Sequence, residues 1–260
     1  MLSRLEFGED GTTCQFNDFP ARHFFTTALA GNMSAKYGQP KDALSNFEKC
    51  LNGRGFSSHK PVVILPEHSD NIVFAPRHWR EAEEVKCDGI FTTFPEVAFI
   101  LRPADCFPIL MSTVDRYFVG LVHAGWKSTN LEIARQAVEL AVKHYPIEPE
   151  DIFVGIGPGI HKCCYKDERT AQNLLKDKRW AESVEENAFG TFGFGAHIDL
   201  LNFNIKQLLY AGIKPEHIKV ASSCTCCSRD EKGKHLFFSH HRAELTGEPE
   251  GRFSAVVSMI

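Results

Sequence analysis

The stretch YFVGLVHAGWKSTNLEIARQAVELAVKHYP, residues 117–146, joins two hydrophobic periods in one unit. Its opening YFVGLVH is a continuous apolar run, which predicts a buried strand ending near His123. Gly125 and Trp126 break that run. Beyond them Ala134, Ala137, Val138, Ala141 and Tyr145 recur at helical spacing on one face, and Pro146 stops the helix. Thr129 with Glu132 three residues later fits a capping box at its start. His123 is thus expected where the C-terminal end of a strand faces a helix start.

Outward from this unit, PVVIL (61–65), NIVFA (71–75), DGIFT (88–92), VAFIL (97–101) and FPILMS (107–112) predict strands, broken by Pro95 and Pro103. DIFVGIG (151–157) predicts another, closed by Gly157, Pro158 and Gly159. His217–Ser222, HLFFS (235–239) and Phe253–Met259 are further strand candidates. Helical spacing appears over Asp42–Leu51, Asp167–Val184 and Leu200–Ala211, whereas the rest of residues 21–54 reads as loop. Elements mixed in this order predict an α/β or α+β fold. Without internal repeats or low-complexity runs, one domain over residues 1–260 is the simplest organisation.

The chain has 260 residues, 43% of them apolar, which is enough for a generous core. Its 29 basic and 33 acidic residues leave a net charge of −4, without the electrostatic footprint of a nucleic-acid binder. No run reaches the roughly 18 apolar residues of a membrane span. The first ten residues carry three acids and no apolar signal core, so a cytoplasmic location is expected. Nine cysteines, an odd number in a chain this long, are expected to be free thiols. Catalysis or small-molecule binding is favoured by elimination, in a monomer or homodimer.

His68, Cys106 and His123 each stand at a strand end or in a tight turn, separated by 38 and 17 residues. No local finger forms at these spacings, so any shared site must be assembled by the fold. One thiolate and two imidazoles with a fourth position open suit catalytic zinc, and the same donors suit copper. Alternatively, Cys106 is a nucleophile with His123 as its base. The bland alternatives are a structural histidine and an inert core thiol, and Asp105 beside Cys106 fits a surface acid or a hydrogen-bond acceptor.

His161, Cys163, Cys164, Cys224, Cys226 and Cys227 form a second crowded set. The spacings in HKCC and CTCC are shorter than the C-x2-4-C pairs of closed zinc sites, which favours free thiols there. Gly155–Gly159 lacks the phosphate-loop patterns and reads as a turn. His240, His241 and Arg242 follow HLFFS, where a cation can meet an anionic substrate or simply form a solvated edge.

The segments DGIFTT (88–93), ADCFPIL (104–110), VGLVHAGWKST (119–129), GIGPGIHKCCY (155–165) and FFSHHR (237–242) resemble the laccase-domain family. That family is also called YfiH-type, multicopper polyphenol oxidase, LACC-type purine nucleoside phosphorylase and peptidoglycan editing factor. The likeness runs in order from about residue 61 to the end and is most specific where ADC is followed closely by HAGW. It implies a single domain of α/β/β/α layers built from mixed sheets, with a zinc site of His68, Cys106 and His123, the residues expected to be catalytic. It also implies phosphorolysis of adenosine, inosine, guanosine or methylthioadenosine, together with deamination of adenosine. Arg242 and Lys127 are the cations placed to meet phosphate.

This chain departs from the family's pattern at Ala28 and Ala30, where FTTALAGNMS replaces FTTR-x-GG-x-S, at Pro66 before His68, and at Lys127, Ser128, His240 and His241. Three other functions therefore stand beside the leading one. They are a cysteine-dependent hydrolase or amidase acting on peptidoglycan precursors, a copper polyphenol oxidase, and a catalytically degenerate binding protein.

Overall fold

The structure, a computed structural model, describes residues 2–56, 58–75, 83–187 and 195–259. Two seven-stranded mixed sheets dominate it. The first runs in the order Leu2–Ser3, Ile218–Ala221, Ile152–Ile156, Phe107–Thr113, Val119–Ala124, Gly89–Thr92 and Ile72–Phe74. The second runs Glu6–Phe7, Thr13–Gln15, Arg22–Thr26, Ala255–Ser258, Val97–Leu101, Lys60–Leu65 and Glu83–Lys86.

Both faces of each sheet are covered, which explains why the strands read as unbroken apolar runs. Along Phe107–Thr113 alternate residues face opposite ways. Phe107, Ile109 and Met111 pack with Ala134, Ala137, Val138 and Ala141 of the Ile133–His144 helix and with Phe203 and Leu208 of the Leu200–Tyr210 helix. Leu110 points the other way and meets Phe25, Phe99 and Val257 of the second sheet. The far face of that sheet, with Phe24, Val63, Ile100 and Val256, is covered by Ala43 and Phe47 of the Pro40–Asn52 helix. The expected α/β/β/α layering is therefore present. Truncating a fully buried residue such as Ile109 to alanine costs about 2–5 kcal/mol.

Four local expectations need correction. Asp167–Val184 is not one helix: the Glu168–Leu174 helix ends, and Asp177 starts a separate 3-10 turn by accepting from the Arg179 N–H at 3.0 Å. HLFFS is not a strand beyond a single bridging residue at His235, because the Phe237 carbonyl accepts from Arg242 Nη2 at 3.0 Å. Thr129 lies inside a short Trp126–Asn130 helix, at whose entry Ser128 Oγ accepts from the Gly125 N–H at 3.0 Å. Finally, the loop-like opening hides the Arg22–Thr26 strand, paired with Ala255–Ser258. Among the described residues no helix is long and apolar enough to cross a membrane.

Candidate metal centre

Antiparallel pairing sets Pro108 opposite His123 and Phe107 opposite Ala124, so Cys106, one residue before its strand, lies beside the end of its neighbour. On the other flank Val122 pairs with Gly89, and the His123 N–H donates to the Asp88 carbonyl at 2.7 Å. His68 arrives from the second sheet, in the turn after Lys60–Leu65. It is held with φ at +58°, a left-handed backbone that histidine tolerates better than bulkier residues.

The fold thus brings all three residues together: one ligand atom from each of His68, Cys106 and His123 lies within 4.8 Å of the others. His123 is buried, Cys106 half-buried and His68 exposed, so the group opens toward solvent on the His68 side. The Gly125 backbone closes in on it, since an added Cβ would lie 3.0 Å from Cys106 Sγ and 3.3 Å from the His68 ring.

Asp88 organises the group. Its fully buried carboxylate accepts from the N–H groups of Glu67 at 3.1 Å, His68 at 3.0 Å and Ser69 at 2.8 Å, and from Ser69 Oγ at 2.8 Å. It also accepts from His123 Nδ1 at 2.8 Å, which leaves Nε2 to face Cys106 and His68. A carboxylate behind a ligating imidazole fixes its tautomer and orientation. Sequence reasoning passed over Asp88, although an acid at the head of the apolar DGIF run signals a buried carboxylate that needs partners.

Burial alone would push the Cys106 thiol up. The positive charge of His123, with hydrogen bonds from His123 and His68, overcomes it and brings Cys106 down to about 6. For His123, burial disfavours the cation, but the Cys106 thiolate and the Asp88 hydrogen bond raise it to about 9. Asp88 itself sits below the ordinary carboxyl value: burial opposes ionisation, while hydrogen bonds from His123 and Ser69 outweigh it. Because the thiolate is the form present above the depressed value, alkylation of Cys106 by iodoacetamide in metal-stripped protein should persist as pH falls and fade only through about pH 6. A midpoint near the ordinary thiol value of about 8.5 would contradict the pairing.

These donors fit zinc. Two imidazoles and a thiolate leave a fourth position open, as catalytic sites require, and the Asp88 contact supplies the carboxylate that orients a ligating imidazole.

The neighbouring polar residues have been put to other uses. Asp105, at φ +82°, is a buried acceptor rather than a surface acid: it takes Thr225 Oγ1 at 2.6 Å and the His241 N–H at 2.7 Å. Arg242 is mostly buried. Its Nη1 donates to the carbonyls of Thr225 at 2.8 Å and Cys226 at 2.9 Å, its Nη2 to that of Phe237, and its Nε to Glu248. It braces two loops and keeps little capacity for a phosphate. Lys127 is exposed, with Nζ 5.5 Å from the Trp126 ring centroid. His240 bonds Glu250 through Nδ1 at 2.8 Å.

A second convergence lies beyond Asp105. One ligand atom from each of Cys163, Cys164, Cys224 and Cys227 lies within 4.8 Å of the other three. Cys226 stands outside this group, and His161 contributes its backbone N–H, which donates to Cys224 Sγ at 3.3 Å. The spacing Cys224-x-x-Cys227 is the signal that sequence reasoning missed here.

The model of the multi-copper polyphenol oxidoreductase laccase family matches residues 26–260. Purine nucleoside phosphorylase YlmD of Geobacillus stearothermophilus is 37% identical over 158 residues, 60% of this chain and 54% of the relative. Purine nucleoside phosphorylase LACC1 of Homo sapiens is 29% identical over 218 residues, 82% of this chain and 47% of the relative. The chain spans about half the length of these curated relatives in the matched segments. Among solved structures, YlmD from Geobacillus stearothermophilus superposes with a TM-score of 0.80 at 27% identity, covering 99% of both chains. Bacillus licheniformis YfiH gives 0.82 at 24% identity, over 97% of this chain and 98% of that one, a likeness of fold.

Proposed function

Because the chain belongs to the multi-copper polyphenol oxidoreductase laccase family, we propose that His68, Cys106 and His123 hold a zinc ion in the active site of a purine nucleoside phosphorylase. The observation that carries this is the convergence of the three donors in front of Asp88. The names of the relatives from Geobacillus stearothermophilus and Homo sapiens supply the reaction class. Its substrates are adenosine, inosine, guanosine or methylthioadenosine, with inorganic phosphate.

In phosphorolysis a phosphate oxygen bonds to C1′ of the ribose, the C1′–N9 bond breaks, and the purine leaves with its electron pair and takes up a proton. A bound zinc ion supplies Lewis-acid chemistry at this point. Asp88 holds the His123 ring in one tautomer, and Cys106 would contribute a thiolate to the group that holds the cation. Gly125 keeps the approach free of a side chain. Lys127, exposed one residue beyond Trp126, supplies the cation for phosphate. Replacing it by alanine should raise the KM for phosphate about tenfold while leaving kcat nearly unchanged, the signature of lost ground-state binding. An unchanged phosphate KM would remove Lys127 from this role.

A nucleoside panel tests the proposal. Adenosine with phosphate should yield adenine and ribose 1-phosphate, lost on chelation and restored by zinc. Deamination at the same open site adds inosine from adenosine in phosphate-free buffer. No base released from any of the four nucleosides overturns the phosphorylase reading. Turnover that survives chelation but not alkylation of Cys106 would assign a thiol hydrolase instead.

A further inference from the structure

We propose that Cys163, Cys164, Cys224 and Cys227 form a second, structural metal site: a four-thiolate zinc centre that ties together the two loops behind Asp105. The neighbouring strands Ile152–Ile156 and Ile218–Ala221 run parallel, with Ile156 opposite Val220, so both chains leave the sheet at the same end. The pairing continues as a bridge between Gly159 and Cys224, with the Thr225 N–H donating to the Gly159 carbonyl at 2.9 Å. Each chain then makes a tight turn, through 162–164 in one and 225–227 in the other. Each turn delivers two sulfurs to a common point.

The distances match one small cation. Zinc–sulfur bonds of about 2.3 Å in a tetrahedron set neighbouring sulfurs about 3.8 Å apart. Cys163 Sγ lies 3.7 Å from Cys164 Sγ and 3.8 Å from Cys227 Sγ. A cubane iron–sulfur cluster would hold the four sulfurs much further apart, because each binds a different iron. A disulfide uses two sulfurs and does not explain why four converge.

Cys224 adds a second kind of observation. It is buried, and its sulfur accepts a backbone N–H bond from His161 at 3.3 Å, a contact that orients a ligating sulfur. Its turn is held shut by Ser228, whose Oγ accepts from the Cys224 N–H at 2.9 Å while the Ser228 N–H donates to the Cys224 carbonyl at 3.0 Å. Cys163 and Cys227 are exposed, so the ion can enter from solvent.

The position gives this centre a role. Thr225, inside the second turn, donates to Asp105, whose neighbour is Cys106, and Arg242 clamps the carbonyls of Thr225 and Cys226. A zinc ion here braces the support of the first metal group. It would not meet substrate.

The test reads metal rather than turnover, so it stands apart from the phosphorylase reading. The as-purified chain and its Cys163→Ser/Cys227→Ser variant are compared for zinc by mass spectrometry, with Cys106→Ala as the reference for the other site. Both serines replace exposed thiols. The expected result is loss of about one zinc per chain in the double variant, and retention of that zinc in Cys106→Ala. A second readout uses the unmodified protein: Cys163 and Cys227, although exposed, should resist maleimide while zinc is present and react at least about tenfold faster after chelation. Unchanged zinc in the double variant, equal labelling rates before and after chelation, copper in place of zinc, or disulfide-linked sulfurs at this point would each overturn the proposal.

Discussion

Replacing Asp88 by alanine is expected to cost the fold about 3–5 kcal/mol, the size of the penalty for removing one partner of a buried charged pair. The carboxylate is fully buried and satisfies three backbone N–H groups, the Ser69 hydroxyl and the His123 ring. Alanine leaves all of these donors unmet in a space water does not readily fill. Urea unfolding measures the loss, and a cost below about 1 kcal/mol would show that the 67–69 turn is held by something else. Asp88→Asn isolates the chemistry from the folding. The amide keeps the shape but turns two donors toward groups that are themselves donors, and it no longer fixes the His123 tautomer. Metal affinity at the His68–Cys106–His123 group should fall about 10–100-fold. Affinity at the four-cysteine group should stay unchanged.

Cys106→Ala is expected to abolish phosphorolysis outright. If the Lewis acid supplies about 4 kcal/mol of transition-state stabilisation, its loss lowers kcat/KM about a thousandfold. Two imidazoles remaining at the site bind zinc far more weakly than three donors that include a thiolate. Cys106→Ser keeps the volume but offers a neutral hydroxyl to a site built for a thiolate, so it should fail nearly as badly. The fold should tolerate both changes, since Cys106 is only half-buried. Measured by steady-state kinetics at nucleoside concentrations well below KM, a kcat/KM within about tenfold of the unmodified protein in either variant would contradict the ligand assignment.

The layers of the fold were legible because their cause is local. Runs such as FPILMS and VAFIL are buried on both faces, and the 134–145 stripe carries the helical period directly in its spacing. The convergence of Cys106 with His123 was legible through motifs, ADC and HAGW, that sit at strand ends, and His68 joins them from the turn after Lys60–Leu65. What escaped depends on pairing across long distances. Arg22–Thr26 is a strand held between two others, Thr13–Gln15 on one side and Ala255–Ser258 on the other, the latter more than two hundred residues away along the chain. HLFFS has the composition of a strand, yet only His235 makes a bridge, and the Phe237 carbonyl accepts from the Arg242 guanidinium. Arg242 follows HLFFS as a candidate cation for phosphate, and its hydrogen bonds go to carbonyls that no sequence pattern announces. Of the four cysteines, Cys224-x-x-Cys227 alone carries a metal-site spacing, and neither turn by itself makes a closed site. Parallel pairing of their two strands is what joins them.

The most direct test of the account is zinc stoichiometry in a background that lacks the four-cysteine centre. In the Cys163→Ser/Cys227→Ser protein, about one zinc per chain should remain, and adding Cys106→Ala should remove it together with ribose 1-phosphate formation. Zinc that persists after Cys106→Ala, or phosphorolysis that continues without it, would contradict the claim that His68, Cys106 and His123 are the catalytic metal ligands.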